Sequence, residues 1–148
     1  IDNYLIDHRQ FQSRQEFELA MINILDKYNP DLVVLAGFMR ILSSVFVNKY
    51  LGKLINIHPS LLPKYKGLET HRQVIENNDE YHGVTVHFVD NTLDGGPICA
   101  QSSIRVQTKN TKELEREIHK LEHKIYPEVI NEIAEGKIYF SDGEINKR

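Results

Sequence analysis

Leu32-Val33-Val34-Leu35-Ala36, followed at once by Gly37-Phe38-Met39-Arg40, is the stretch that decides the fold class. The apolar run is too short for a helix and shows no alternation, which is how a parallel strand covered on both faces is written. A central strand is expected there. On its N-terminal side, Ser13-Arg14-Gln15-Glu16 forms a capping box, and Phe17, Ala20, Met21, Ile24, Leu25 and Tyr28 recur at helical spacing. Asn29-Pro30 should end that helix. On the C-terminal side, a helix from Ser43 or Ser44, with Val45, Phe46 and Tyr50 turned inward, leads to a second strand over Leu54 to Ile57, ending at His58-Pro59. Helix, strand, helix and strand in this order define the α/β class.

Further along, Ser60 to Leu68 reads as a long loop and Thr70 to Asn77 as a helix. Loops of that length inside a compact domain usually carry function. Gly83 to Val89 and Ile98 to Val106 are expected to be antiparallel strands joined by a turn over Asp90 to Pro97. Leu114, Ile118, Leu121, Ile125, Val129 and Ile133 mark a helix from Thr111 to Ile133, which Pro127 should kink or split. Ile138 to Phe140 is a last short strand before a polar tail. No linker or repeat interrupts these elements, so residues 1–148 are read as one domain.

Composition narrows the partners. A net charge of −3 without a long basic run argues against nucleic acid and against a membrane surface, leaving small molecules. The single cysteine, Cys99, has no partner for an internal disulfide and no metal-ligating neighbours at ligand spacing, so a reducing, cytoplasmic setting is expected. No apolar stretch approaches the length of a membrane span, and no leader pattern opens the chain.

The chemistry concentrates in Asn56-Ile57-His58-Pro59. A strand sends alternate side chains to one face, so Asn56 and His58 point the same way at a strand's C-terminal end, where ligands of open α/β sheets bind. An amide donor beside an imidazole can stabilise an oxyanion and move a proton, as acyl transfer to an amine requires. Standing against this is the plainer role of a strand-end histidine bonded to a loop. Asp94, in Leu93-Asp94-Gly95-Gly96-Pro97, is the expected partner of His58, because the glycines permit backbone turns closed to other residues. A carboxylate close to the ring would help keep the imidazole charged near neutral pH. His119, Glu122 and His123 spell a zinc-peptidase pattern, but the stripe of Ile118, Leu121 and Ile125 suits a packing helix and no third ligand is evident. No metal is therefore expected. His8, His71, His82 and His87 are individually uninformative and are expected in surface or hydrogen-bonded roles.

Taken together, Ala36-Gly37-Phe38-Met39-Arg40-Ile41-Leu42, Asn56 through Leu68 continuing into Thr70-His71-Arg72, and Leu93-Asp94-Gly95-Gly96-Pro97 resemble the glycinamide ribonucleotide formyltransferase family. The similarity runs from about Ser13 to Gly136. It implies a doubly wound, mostly parallel, Rossmann-like sheet, and transfer of a formyl group from 10-formyltetrahydrofolate to the amine of glycinamide ribonucleotide in purine biosynthesis. The implied catalytic residues are Asn56, His58 and Asp94. The implied folate site comprises Arg14, Met39, Arg40, Ile41, Leu42, Asn56, Asp90, Asn91, Thr92, Leu93 and Asp94, with backbone groups of the Met39 to Leu42 loop reading the pterin. His119 and Glu122 match positions that contact the ribonucleotide, which accounts for the zinc-like spelling. The related transfer-RNA formyltransferase generally has Arg-Gly-Ala-Ala-Pro where this chain has Lys66-Gly67-Leu68-Glu69-Thr70, and the related hydrolase usually has His at the position of Pro59.

The resemblance also implies a feature absent from these 148 residues. Family members begin with a strand, a Gly-x-Gly-Ser-Asn loop and a helix whose N-terminus takes the substrate phosphate. The chain is expected to enter near the third strand, lacking the first strands, which would leave Leu32 to Ala36 with an unpaired edge prone to association, as a homodimer or a larger aggregate. An inactive folate-binding fragment, another enzyme using formyltetrahydrofolate and, distantly, a zinc hydrolase are the competing expectations.

Overall fold

A computed structural model describes residues 1–148. Its elements, in chain order, are α1 (Arg14–Tyr28), β1 (Val33–Leu35), α2 (Ser44–Lys49), β2 (Leu54–His58), α3 (Thr70–Glu76), β3 (Tyr81–Phe88), β4 (Ile98–Arg105), α4 (Thr111–Ala134), β5 (Ile138–Ser141) and β6 (Glu144–Lys147). A short 3-10 turn, His8–Gln10, precedes them.

Local sequence accounts for most of these boundaries. Ser13 caps α1 by accepting from the Glu16 amide, and Glu16 returns the bond to the amide of Gln12 rather than of Ser13. Such a cap contributes about 1 kcal/mol. Asn29, in the left-handed region at φ 41°, closes the helix. Ser43 caps α2 through Phe46 N–H, and Asn110 caps α4 through the amides of Lys112 and Glu113.

The main sheet has the order β1-β2-β3-β4, with β1 parallel to β2 and the other two pairings antiparallel. The α/β class holds, and the part of the sheet carried by this chain is mixed. Two layers of helix sandwich it. Met21, Ile22 and Leu25 of α1 join Phe46 and Tyr50 of α2 against Val33 and Leu54 on one face. Leu114, Ile118, Ile125, Tyr126 and Val129 of α4 cover Ile55, Val84, Val86 and Phe88 on the other. The alternation of Leu54 and Ile55 between the two faces is the strand period at work.

Several expectations need correction. The run Leu32 to Ala36 forms a strand only over Val33–Leu35, and it lies at the edge of the sheet, with Val34 39% exposed, instead of being covered on both faces. Within residues 1–148 its one strand neighbour is β2. Tyr28 and Val45 point outward, because Tyr28 bonds through its hydroxyl to Asp2 and the packing turn of α2 is Phe46, Val47 and Tyr50. Pro127 neither splits nor ends α4; it sits on the exposed side, where the carbonyl deprived of its N–H partner remains in water. The polar tail is β6, folded back on β5 through Asp142-Gly143, both at positive φ, with Ile145 packed on the main core. An Asp-Gly pair between apolar runs is a hairpin signal that composition alone conceals. No helix is long and apolar enough to cross a membrane.

Candidate active site

Register builds the site. Asn56 stands opposite His87, and His58 opposite Thr85, so these four side chains share one face at the C-terminal end of β2. The turn after β3 then brings in a carboxylate. Asp94 adopts φ 43°, and Gly96 behind it lies so close to β3 that an added Cβ would be 2.0 Å from Phe88 O. Only glycine lets the turn close at this distance. As a result Asp94 Oδ2 sits 3.5 Å from His58 Nδ1, and both side chains are largely buried.

The other side of the ring is held by the loop after β2. His58 Nε2–H donates to Tyr65 O at 2.8 Å, and Gly67 N–H donates to Asp94 Oδ2 at 2.8 Å, so one loop grips both members of the pair. Acceptors at both ring nitrogens match an imidazolium, which has two N–H donors. The expected pairing of His58 with Asp94 is thus met, and the plainer role of His58, bonding to a loop, is met at the same time.

His87 belongs to this group, although its type and position carried no signal in the sequence. Its Nδ1–H donates to Phe88 O at 2.9 Å, and Nε2 lies 3.9 Å from Asp94 Oδ1. That Nε2 is the one buried side-chain polar atom without a hydrogen-bond partner. Burial lowers the imidazole's basicity, against the opposing pull of the Phe88 carbonyl and Asp94. A neutral ring with its proton on Nδ1 leaves Nε2 as an acceptor facing the carboxylate, so the pair presents two acceptors to one space.

The other residues named from the sequence divide into neighbours of the site and supports of it. Arg14 donates through Nη1 to Ile41 O at 3.4 Å, so it braces the Met39 to Leu42 loop. Arg40 stacks over Phe17, Met39 and Ile41 are exposed, and Leu42 packs inward beside Val33 and Leu54. Asp90 accepts from the Thr92 amide at 2.8 Å, Asn91 donates to Asn48 Oδ1 at 2.8 Å, and Leu93 is 53% exposed beside them. A support that the sequence concealed is Glu18. It is 3% exposed, accepts from Ser43 N–H at 2.7 Å and from the Ser43 hydroxyl, and so anchors the loop's end to α1. On a helical wheel it looks like an ordinary charged position between Phe17 and Leu19.

On α4, His119 Nε2 is 3.9 Å from Glu122 Oε2. Burial raises the Glu122 carboxyl above its usual range, while His119, His123 and His58 pull it down, which places Glu122 within electrostatic reach of the His58 ring. No group of three or more His, Cys, Asp or Glu side chains is arranged to hold a metal ion. Near the site, His71 Nδ1 and His82 Nε2 share a hydrogen bond of 2.9 Å, and burial depresses His82 to about 4. A 440 Å³ cavity is lined by Leu61, Lys64, Tyr65, Val74, Asp79 and His82, among others, and not by His58.

Known proteins share this sequence pattern and this fold. The sequence profile of the family described as Formyl transferase matches residues 1–130. Phosphoribosylglycinamide formyltransferase of Escherichia coli (strain K12) is 51% identical over 129 residues, covering 86% of this chain and 61% of the relative. A solved phosphoribosylglycinamide formyltransferase from Coxiella burnetii, in complex with CHES, superposes with a TM-score of 0.89 at 42% identity, covering 97% of this chain and 68% of that one. A formyltetrahydrofolate deformylase from Pseudomonas syringae pv. tomato superposes with a TM-score of 0.85 at 25% identity, covering 92% of this chain and 46% of that one. The chain therefore spans about 61% of the length of its Escherichia coli relative. The profile match takes in β1 to β4 and the whole Asn56, His58 and Asp94 constellation, and by it this chain belongs to the formyl transferase family.

Proposed function

We propose that this protein transfers a formyl group from 10-formyltetrahydrofolate to the amine of glycinamide ribonucleotide. The observation that carries this reading is the buried His58–Asp94 pair, at 3.5 Å, on the same strand face as Asn56, in a chain of the formyl transferase family. The amine nitrogen attacks the formyl carbon, and the carbonyl oxygen gains negative charge. The Asn56 amide donates to that oxygen, and His58, whose two ring nitrogens face Tyr65 O and Asp94, stabilises it through the charge of its ring, which is where preorganised groups lower a barrier most. Asp94 orients the ring and favours its charge. As the tetrahedral species collapses, the bond from carbon to folate N10 breaks. The proton lost by the amine ends on N10, and Asp94 Oδ1 and His87 Nε2 are acceptors placed to relay it. No covalent enzyme intermediate is needed. Cys99 is buried and its thiol pushed up to about 12, the opposite of an activated nucleophile.

The folate site would use the Met39 to Leu42 loop, Arg14 and the Asp90 to Asp94 turn, and the ribonucleotide would meet His119 and Glu122. The apolar side chains of Met39, Ile41 and Leu93, all exposed, suit a flat heteroaromatic ligand. The buried, lone cysteine fits a cytoplasmic setting. The test is a formyl-transfer assay on the complete gene product that carries this sequence, with glycinamide ribonucleotide or water as acceptor. Formylated amine supports the reading. Formate released at the same rate without the amine would make the protein a hydrolase, as in the Pseudomonas relative, and folate binding without either product would make it a binding module.

A further inference from the structure

His58 on β2, Thr85 on β3 and Gln101 on β4 stand directly opposite one another and form a row across the sheet. The loop that follows β2 is tied to this row by side chains. Thr85 Oγ1 donates to Ser60 O at 2.7 Å and accepts from Leu62 N–H at 3.1 Å. Gln101 Nε2 donates one hydrogen to Thr85 Oγ1 at 2.8 Å and the other to Leu62 O at 2.9 Å. Ser60 Oγ donates onward to Lys64 O at 2.6 Å. Thr85 and Ser60 are both fully buried.

Hydrogen-bond stoichiometry makes this clamp specific. A threonine hydroxyl has one donor and two lone pairs, and a primary amide has two donors. Every one of these is used: Thr85 is fully buried, and Gln101, exposed on β4, turns both amide hydrogens inward to the clamp. The segment so held, Ser60 to Lys64, ends one residue before Tyr65, whose carbonyl takes the His58 Nε2 proton. Gln101 does not touch His58, yet the acceptor on His58 stands where the clamp leaves it.

We propose that Gln101 is a positioning residue for the transfer reaction, acting through Thr85 and the Leu62 peptide to hold the Tyr65 carbonyl on His58. The inference rests on the function proposed above. Losing that carbonyl removes an acceptor that favours the charged ring. The other titratable groups within electrostatic reach of the ring stay in place: Asp94 on the turn, His87 and His82 on β3, His71 on α3, and Glu122 on α4. A change in pH response together with a change at the Nε2 proton then reports the carbonyl.

The experiment compares Gln101→Leu, Thr85→Val and Thr85→Ser in the complete gene product. Two readouts are taken: kcat against pH, and the nitrogen-detected NMR signal of the His58 Nε2 proton. In Gln101→Leu and Thr85→Val, the fall in kcat on the alkaline side should move to lower pH by ~1 unit, with the Nε2 proton exchanging faster with water. Thr85→Ser, which keeps the hydroxyl, should behave as the parent. Parental pH profiles and an undisturbed Nε2 proton in both clamp variants, with only a lowered melting temperature, would overturn the inference and leave the clamp as plain core structure. If the parent transfers no formyl group but the Nε2 proton responds as stated, the positioning stands and the function fails. A response in Thr85→Val alone would assign the hold to Thr85 and overturn the role of Gln101.

Discussion

The two sides of the sheet are held in different ways, and the difference matches the proposed division between reaction centre and ligand loop. β3 is buried at every residue from His82 to Phe88, and the loop laid over its end is tied down by a saturated set of side-chain bonds. β1 has three residues, a partner on one side only, and Val34 partly in solvent. Its following loop is held chiefly by Glu18 on Ser43 and Arg14 on Ile41. A group that must meet a developing charge has to be fixed to a fraction of an ångström before substrate arrives. A loop that shapes itself round a flat ligand tolerates a looser hold.

The largest expected effect lies on the β3 side. Asn56→Ala or His58→Ala in the complete gene product should lower kcat by roughly 10²- to 10³-fold with a smaller change in KM, as steady-state kinetics would register. Near-parental turnover in either variant would remove the chemistry from the rigid side and break the comparison.

Next comes Gly96→Ala. The added Cβ would meet Phe88 O at 2.0 Å, a contact backbone cannot relieve without reopening the turn that carries Asp94. A loss of about 2–4 kcal/mol in urea unfolding is expected. An unchanged urea midpoint would show that the turn is not braced against β3.

Acid should loosen the same side. His82 is depressed from 6.5 to about 4, mainly by burial, so the unfolded chain binds this proton between those values and the folded one does not. The contribution is complete above pH ~6.5 and is lost progressively as pH falls towards ~4. His71 shifts in the same direction for the same reason. Urea midpoints taken across this range should therefore fall with decreasing pH, and His82→Phe should flatten the slope even if it is less stable at pH 7.

The smallest effects belong to the β1 side. Glu18→Gln keeps the shape but weakens the grip on Ser43, and KM for the formyl donor should rise by about threefold to tenfold with kcat little changed. A fall in kcat with no effect on KM would mean that the loop serves the reaction centre instead of the ligand.

Much of this was legible in the chain itself. Strand periodicity put Asn56 and His58 on one side, the apolar run gave β1 its place before a loop, and Gly95-Gly96 announced a turn able to approach another strand. Ser13 and the Ser43-Ser44 pair marked two helix starts to within a residue, and the apolar stripe from Leu114 set the third at Thr111. These are local properties, set by backbone sterics and by side chains within one turn or one strand of each other.

What only the tertiary structure decided depends on partners far apart in sequence. Nothing near His87 tells that it lies opposite Asn56 and 3.9 Å from Asp94, because strand register is settled by the whole sheet. Glu18 becomes a buried anchor only when α2 is brought to α1. The Tyr65 group on His58 is a backbone carbonyl, common to every residue and therefore invisible as a letter. A sequence specifies which faces are apolar and where the chain can turn. Which donor meets which acceptor across those faces is determined by packing, where each buried polar group must find a partner.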